Sequence, residues 1–350
     1  MRIADLFTDI AVYIYQSLDD AKLGDKSGGS GFLVHVPLEL SGWREVYVVT
    51  NRHVVHKAKT PAIRFNRKDG GMECLQTEKD DWRFHPDGDD VAIFPFRLNM
   101  DNLRIDSICT DMFVTKELIH DEDIGIGDET VMVGRFISHD GRQKNTPAVR
   151  FGNIAMMPHE GITSPYGIEQ ESFLVETRSL PGYSGSAIIL FSTSAPFDMT
   201  QRRFGKEPPI PDEESPPFSE EKYKRLREMA ARVRAKGPYL LGIDWCHLQS
   251  RESVRETSGK PVDGGWFVEQ NSGMAGVIPA WKILDILNSE ELVAMRRKED
   301  EKITQKKAES PVSLDYAEAR QADEPFTQED FNAALKKVTR KKETADKEKS

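Results

Sequence analysis

The sequence predicts an all-β protein built from two barrels. Three observations carry that prediction. Between about residues 10 and 190 the apolar residues fall in short runs rich in Val, Ile, Phe and Tyr. Gly, Pro, Asp or Asn bounds each run, the pattern of strands separated by turns. Helical spacing is scarce over the same stretch, and roughly 180 residues of this kind exceed what one small barrel needs.

In chain order, the first predicted strands are Ala11 to Tyr15, Phe32 to Val36 and Val46 to Val49. Val91 to Phe94, Val131 to Val133 and Ser186 to Phe191 follow. A Pro-rich stretch (Pro208, Pro209, Pro211, Pro216, Pro217) then leads into Ser219–Lys236, whose spacing predicts a helix. Ser219 is its N-cap, Tyr223, Leu226, Ala230 and Val233 share a face, and Gly237 supplies the stop. Strand-like sequence returns at Tyr239–Trp245 and Gly276–Ile278. Residues 192–237 therefore read as an insertion between two strands of one domain. Trp281–Leu287 predicts a closing helix with Trp281, Leu284 and Ile286 or Leu287 on one face.

From Arg296 onward the chain is about half charged and poor in large apolar residues, a composition that buries no core. The expected division is thus a folded domain over 1–290, with a first barrel near 10–115 and a second near 125–290. A largely disordered tail over 291–350 is expected to follow. One island stands out in that tail, Thr327–Arg340, where Thr327 and Asp330 resemble a capping box and Phe331, Leu335 and Val338 line one face.

Composition narrows the function. The 350 residues carry 48 Lys and Arg against 58 Asp and Glu, a net charge of −10. Such a chain is repelled by phosphate backbones and anionic lipids, so neither nucleic acid nor a membrane is an expected partner. No apolar run approaches the ~20 residues that span a bilayer. Asp5 and Asp9 interrupt the N-terminal stretch, which lacks the apolar region of a signal peptide. Cys74, Cys109 and Cys246 show no metal-ligand spacing and leave an odd thiol under any pairing. A reducing, cytoplasmic compartment is expected. The histidines show no metal spacing either, so no metal or cofactor is implied.

Three segments carry chemistry. Val48-Val49-Thr50-Asn51-Arg52-His53 is an apolar strand ending in a histidine. Asp89-Asp90-Val91-Ala92-Ile93 is an acidic opening to a buried strand, with Asp90 the candidate and Asp89 its alternative. Pro181-Gly182-Tyr183-Ser184-Gly185-Ser186-Ala187 sets a serine on a Gly-flanked turn. Serine is a weak nucleophile and needs a base within hydrogen-bond reach; that base needs a carboxylate to fix its tautomer. A tetrahedral oxyanion needs backbone donors, and the N–H groups of Gly182 and Ser184 are placed to supply them. Taken singly, these residues have plainer readings as a core histidine, a strand-capping carboxylate and a turn serine. Together they favour hydrolysis.

In order and approximate separation, His53, Asp90 and Ser184 resemble the trypsin-like (chymotrypsin-fold) serine endopeptidases. The similarity extends to Ser30-Gly31-Phe32-Leu33-Val34, to Leu240-Leu241-Gly242-Ile243-Asp244 and to Gly273-Met274-Ala275-Gly276-Val277-Ile278-Pro279. The last two look like late strands of the bacterial, disulfide-free branch of that fold. Coverage is roughly residues 10 to 290. The resemblance implies two six-stranded antiparallel barrels, with His53 and Asp90 from the first and Ser184 from the second, and a protein or peptide substrate. It also implies a primary pocket walled by Arg178, Ser179, Ile243, Asp244 and Trp245. A basic and an acidic residue in one pocket leave its preference open.

Two departures matter. Tyr183 stands where activatable members carry an Asp that pairs with a newly cut N-terminus. Asn51 replaces the alanine common before the histidine. A catalytically silent module of the same fold, acting in binding or regulation, is the alternative function. The 219–236 helix and the 327–340 island are candidate docking faces for a protein partner.

Overall fold

Strand β1 (Ala11–Tyr15) is buried along its whole length, as five consecutive apolar residues require of a strand covered on both faces. The computed structural model describes residues 3–25, 27–96, 100–136, 141–163, 169–177, 179, 182–192, 236–255, 257, 260 and 265–309. Short helices α1 (Leu6–Asp9) and α2 (Leu18–Leu23) flank β1. β2 (Ser27–Pro37) and β3 (Arg44–Thr50) form an antiparallel hairpin, and α3 (Arg52–Lys57) follows at once. β4 (Ala62–Asn66), β5 (Met72–Gln76), β6 (Arg83–Phe84), β7 (Ala92–Phe96) and β8 (Ile108–Cys109) complete the first sheet. Its order is β5-β4-β1-β2-β3-β7-β6, with β8 paired to β2 in parallel.

After α4 (Lys116–Asp121) comes the second sheet. β9 (Glu129–Gly134), β10 (Ala148–Met156), β13 (Phe173–Glu176), β14 (Ala187–Ser192), β15 (Lys236–Ser253) and β16 (Phe267–Pro279) close into a barrel. β11 (Gly161–Thr163) and β12 (Glu169–Glu171) make a separate two-stranded sheet. Helices α5 (Ala280–Leu287) and α6 (Glu290–Glu309) end the described chain.

Side-chain alternation explains how the sheets meet. Phe32 and Val34 of β2, Tyr47 and Val49 of β3, Val131 and Val133 of β9, and Ala187 and Ile189 of β14 share one apolar cluster, the seam between the sheets. Their neighbours Leu33, Val46 and Val48 face the first sheet's own core. Met132, Ile188 and Leu190 face the interior of the barrel. These strands are buried on both faces, which is why they read as unbroken apolar runs.

Four expectations need correction. The first sheet is an open sheet of eight strands and not a six-stranded barrel. Its edge strands β5 and β6, the latter two residues long, do not pair with each other among the described residues. β15 and β16 extend past the apolar signal into an exposed polar ribbon running from Gln249↔Asn271 to Ser253↔Phe267. The buried face of α5 is Ala280, Ile283, Ile286 and Leu287, with Trp281 and Leu284 at its margin. Lastly, the predicted charged tail begins as the ordered helix α6.

That helix docks by a stripe only partly apolar. Leu292, Arg296 and Asp300, four residues apart, are its buried positions against the first sheet. Glu291 pairs with Arg83 of β6 at 2.6 Å, and Arg296 donates to the Tyr47 hydroxyl at 3.2 Å. Asp300 accepts the backbone N–H groups of Leu40 and Ser41, each at 2.8 Å. The predicted helix Ser219–Lys236 falls outside the described residues except for Lys236, where β15 begins; the island Thr327–Arg340 lies outside them entirely. Among the described residues no helix is long and apolar enough to cross a membrane.

This docking predicts a measurable asymmetry. Asp300→Ala strands two N–H groups and should cost about 1–3 kcal/mol in urea unfolding. Glu301→Ala on the exposed face should cost less than about 0.5 kcal/mol. Equal effects would show that α6 is not held by its Asp300 contacts.

Candidate active site

β3 ends at Thr50, and the chain turns at Asn51 into α3. His53 therefore sits in the first turn of a short helix, not at a strand end. Val54 and Val55, both buried, anchor that helix in the first sheet's core. The buried Asn51 side chain donates to the Asp90 carbonyl at 2.9 Å, a contact an alanine would lack.

Asp90 faces His53 with both oxygens. Oδ1 accepts the His53 backbone N–H at 2.7 Å, and Oδ2 lies 2.5 Å from Nδ1. With the Nδ1 proton donated to the carboxylate, Nε2 is left as the acceptor. The His53 side chain keeps 28% of its surface exposed against 9% for Asp90, so the imidazole is reachable from solvent and the carboxylate is largely covered. Asp89 points elsewhere, 2.9 Å from the Lys282 ammonium and 3.1 Å from His85 Nδ1. Burial pulls the Lys282 pKa down, but Asp89 and Glu171 outweigh it and hold that ammonium above its ordinary value. Of the two carboxylates, Asp90 is the one at His53.

The serine turn is built from two left-handed glycines, Gly182 (φ 95°) and Gly185 (φ 90°). A Cβ on Gly185 would strike the Ser30 carbonyl oxygen, so glycine is required there. Gly185 N donates to Asp244 O at 2.8 Å and Asp244 N to Ser186 O at 2.9 Å, fixing the turn to β15. Ser30 of β2 reaches across the seam. Its N–H donates to Ser184 O at 2.8 Å and its hydroxyl to Gly182 O at 2.9 Å. Gly29 leaves room for both sides of the seam: a Cβ there would lie 2.8 Å from both Ser184 O and Val54 Cγ2. The Ser184 carbonyl and Val54, the residue after His53, thus both crowd the Cα of one glycine.

No hydrogen bond joins Ser184 to His53 among the described residues. The backbone N–H groups of Gly182 and Ser184 also make none among them. Tyr183 is buried in the barrel, where its hydroxyl accepts from Arg150 Nε at 2.9 Å and the guanidinium carbon lies 4.9 Å from the ring centroid.

Of the expected pocket residues, Arg178 lies outside the described residues. Ile243 and Trp245 pack into the seam, Trp245 donating to Ser172 Oγ at 2.9 Å. Ser179 and Asp244 meet at 3.0 Å, both buried. Burial pushes the Asp244 carboxyl up to about 8, opposed only by the Ser179 hydrogen bond. Sequence reasoning missed Gln170 and Lys282, which touch Asp89 and, for Gln170, Asp90. Neither belongs to a motif.

No family model and no curated protein matches the sequence. Among solved structures, the chain is similar to the MamO protease domain from Magnetospirillum magneticum in its apo form. Identity is 12% and TM-score 0.43, covering 80% of this chain and 96% of that one. It is similar to the HtrA-type protease AlgW with a decapeptide at 15% identity and TM-score 0.37, over 77% of this chain and 52% of that one. Deg5 follows at 16% identity and TM-score 0.34, over 53% and 75% of the two chains. Likenesses at this level carry no functional weight, so function rests on the geometry of the site itself.

Asp244 gives a pH signature. Its folded pKa of about 8 lies above the ordinary value of 3.8, so the folded state binds the extra proton between them. That stabilisation is full below about pH 4 and is lost as pH rises through about 8. The wild-type urea midpoint should carry this fall between pH 5 and pH 8, and Asp244→Asn should flatten it. An unchanged slope in the variant would show that Asp244 is ionised when folded.

Proposed function

We propose that this chain is a serine endopeptidase that cleaves peptide bonds through an acyl-enzyme on Ser184. One observation carries the reading. A histidine is tied through Nδ1 to a buried carboxylate, and a serine on a two-glycine turn is bound to Ser30 across the seam, its carbonyl and the neighbouring Val54 both close to Gly29. Unliganded sites often hold the serine-to-histidine contact long, and substrate tightens it.

In the proposed reaction Ser184 Oγ attacks the scissile carbonyl as its proton passes to His53 Nε2. Asp90 holds the ring and stabilises the imidazolium. The uncommitted N–H groups of Gly182 and Ser184 receive the oxyanion. Collapse breaks the C–N bond, and His53 returns its proton to the leaving amine. Water, activated by the same base, then releases the acid and regenerates Ser184. We place this activity in the cytoplasm, consistent with three free thiols. The missing Ser184–His53 hydrogen bond favours a second reading, a silent module of the same architecture used for binding.

A serine-directed phosphonate probe separates the two. The wild type should label and Ser184→Ala should not, while Ser184→Ala and His53→Ala unfold near the wild-type temperature. Asp90→Asn should lower turnover by roughly 10⁴, far more than Asp89→Asn. Near-wild-type turnover in Ser184→Ala would sink the proposal. Tyr183, already bound by Arg150, needs no charged terminus, so the unprocessed chain beginning at Met1 should label. Labelling only after N-terminal cleavage would contradict this.

A further inference from the structure

The two oxygens of Asp90 are committed to His53 and its carbonyl to Asn51. Its own N–H remains. Asp90 is 6% exposed, and a buried N–H needs an acceptor. That acceptor is the side-chain oxygen of Gln170, at 2.7 Å. The amide end of the same side chain donates to Asp89 Oδ1, also at 2.7 Å. One neutral side chain thus grips two consecutive acidic residues, one by backbone and one by carboxylate. Reversing the amide would set donor against donor and oxygen against carboxylate, so its orientation is fixed by its partners.

The position of Gln170 is otherwise unexplained. It lies on β12, whose ladder is with β11 alone and not with the barrel, yet it is 5% exposed. Lys282 of α5 backs the arrangement by bridging Asp89 (2.9 Å) and Glu171 (3.3 Å), which turns Asp89 away from His53. We propose that Gln170 is a positioning residue: it fixes the 89–90 peptide from outside the first sheet, so that Asp90 meets both the ring and the backbone N–H of His53. The inference rests on the serine endopeptidase reading. The titratable groups around Asp90 are His53, Asp89, His56 and Cys246, with Lys282 and His85 behind Asp89.

The test is the rate of phosphonate labelling of the full chain against pH, with thermal unfolding measured alongside. Gln170→Leu removes both grips. Labelling should slow by about 10–100-fold, as small misplacements of catalytic groups do. The acid limb should move to lower pH, because a loosened Asp90 stabilises the imidazolium less. A residue needed only for packing would lower the unfolding temperature and leave the limb in place. Gln170→Met, closer in shape and neutral, also removes both grips and should slow labelling and move the limb in the same direction. A folded Gln170→Leu with the wild-type rate and limb overturns the proposal. If Gln170→Leu does not fold, a wild-type rate and limb in Gln170→Met overturn it. A wild type that never labels overturns the endopeptidase reading, and this proposal with it.

Discussion

Ser30 carries the arrangement. It is fully buried at the seam, and all of its polar groups are used. The N–H and the hydroxyl hold Ser184 and Gly182, the hydroxyl accepts from Arg135 N at 2.8 Å, and the carbonyl accepts from Thr50 Oγ1 at 2.6 Å. The four bonds run to three places: two to the serine turn, one to the end of β9 and one to the end of β3, which leads into His53. A buried polar group left unpaired is costly, so a network of this kind favours one relative placement of its members. The apolar seam brings the sheets together without choosing among nearby registers. Ser30 chooses.

Charge is managed differently on the two sides of the site. Asp90 stays beside a partner that it can stabilise, and Asp89 beside the Lys282 ammonium. Asp244, directly behind the serine turn, has no cation among the described residues, and burial leaves its carboxyl protonated near neutrality. The arrangement places carboxylates behind His53 and keeps a charged one away from Ser184, where the proposed reaction would form an oxyanion.

Much of this is legible in the sequence, for physical reasons that differ from element to element. β1 has its predicted bounds because both of its faces are buried, so every residue reports its environment. β5 and β10 are missed because exposed Glu73 and Asn153 interrupt them, and β4 because Arg64, although fully buried, breaks its apolar run. The histidine, the aspartate and the serine each sit in a short segment that is recognisable in the sequence. Gln170 does not: its partners are 80 and 81 residues away, and one of them is a backbone N–H that any residue would present. The helix α6 hides for a related reason, since Arg296 and Asp300 look like solvated charge until the hydroxyl and backbone groups they meet are known.

The course of the chain after β16 has a mechanical consequence. Leaving the barrel, it packs Ile283, Ile286 and Leu287 into the seam and then fastens to Arg83, Tyr47, Leu40 and Ser41 of the first sheet. It acts as a strap over the joint. If the seam loosens, the two halves remain tethered at a high effective concentration and re-form quickly. Cutting the strap between α5 and α6 would remove this second tether and leave only the covalent link through α4 to bring the halves back together.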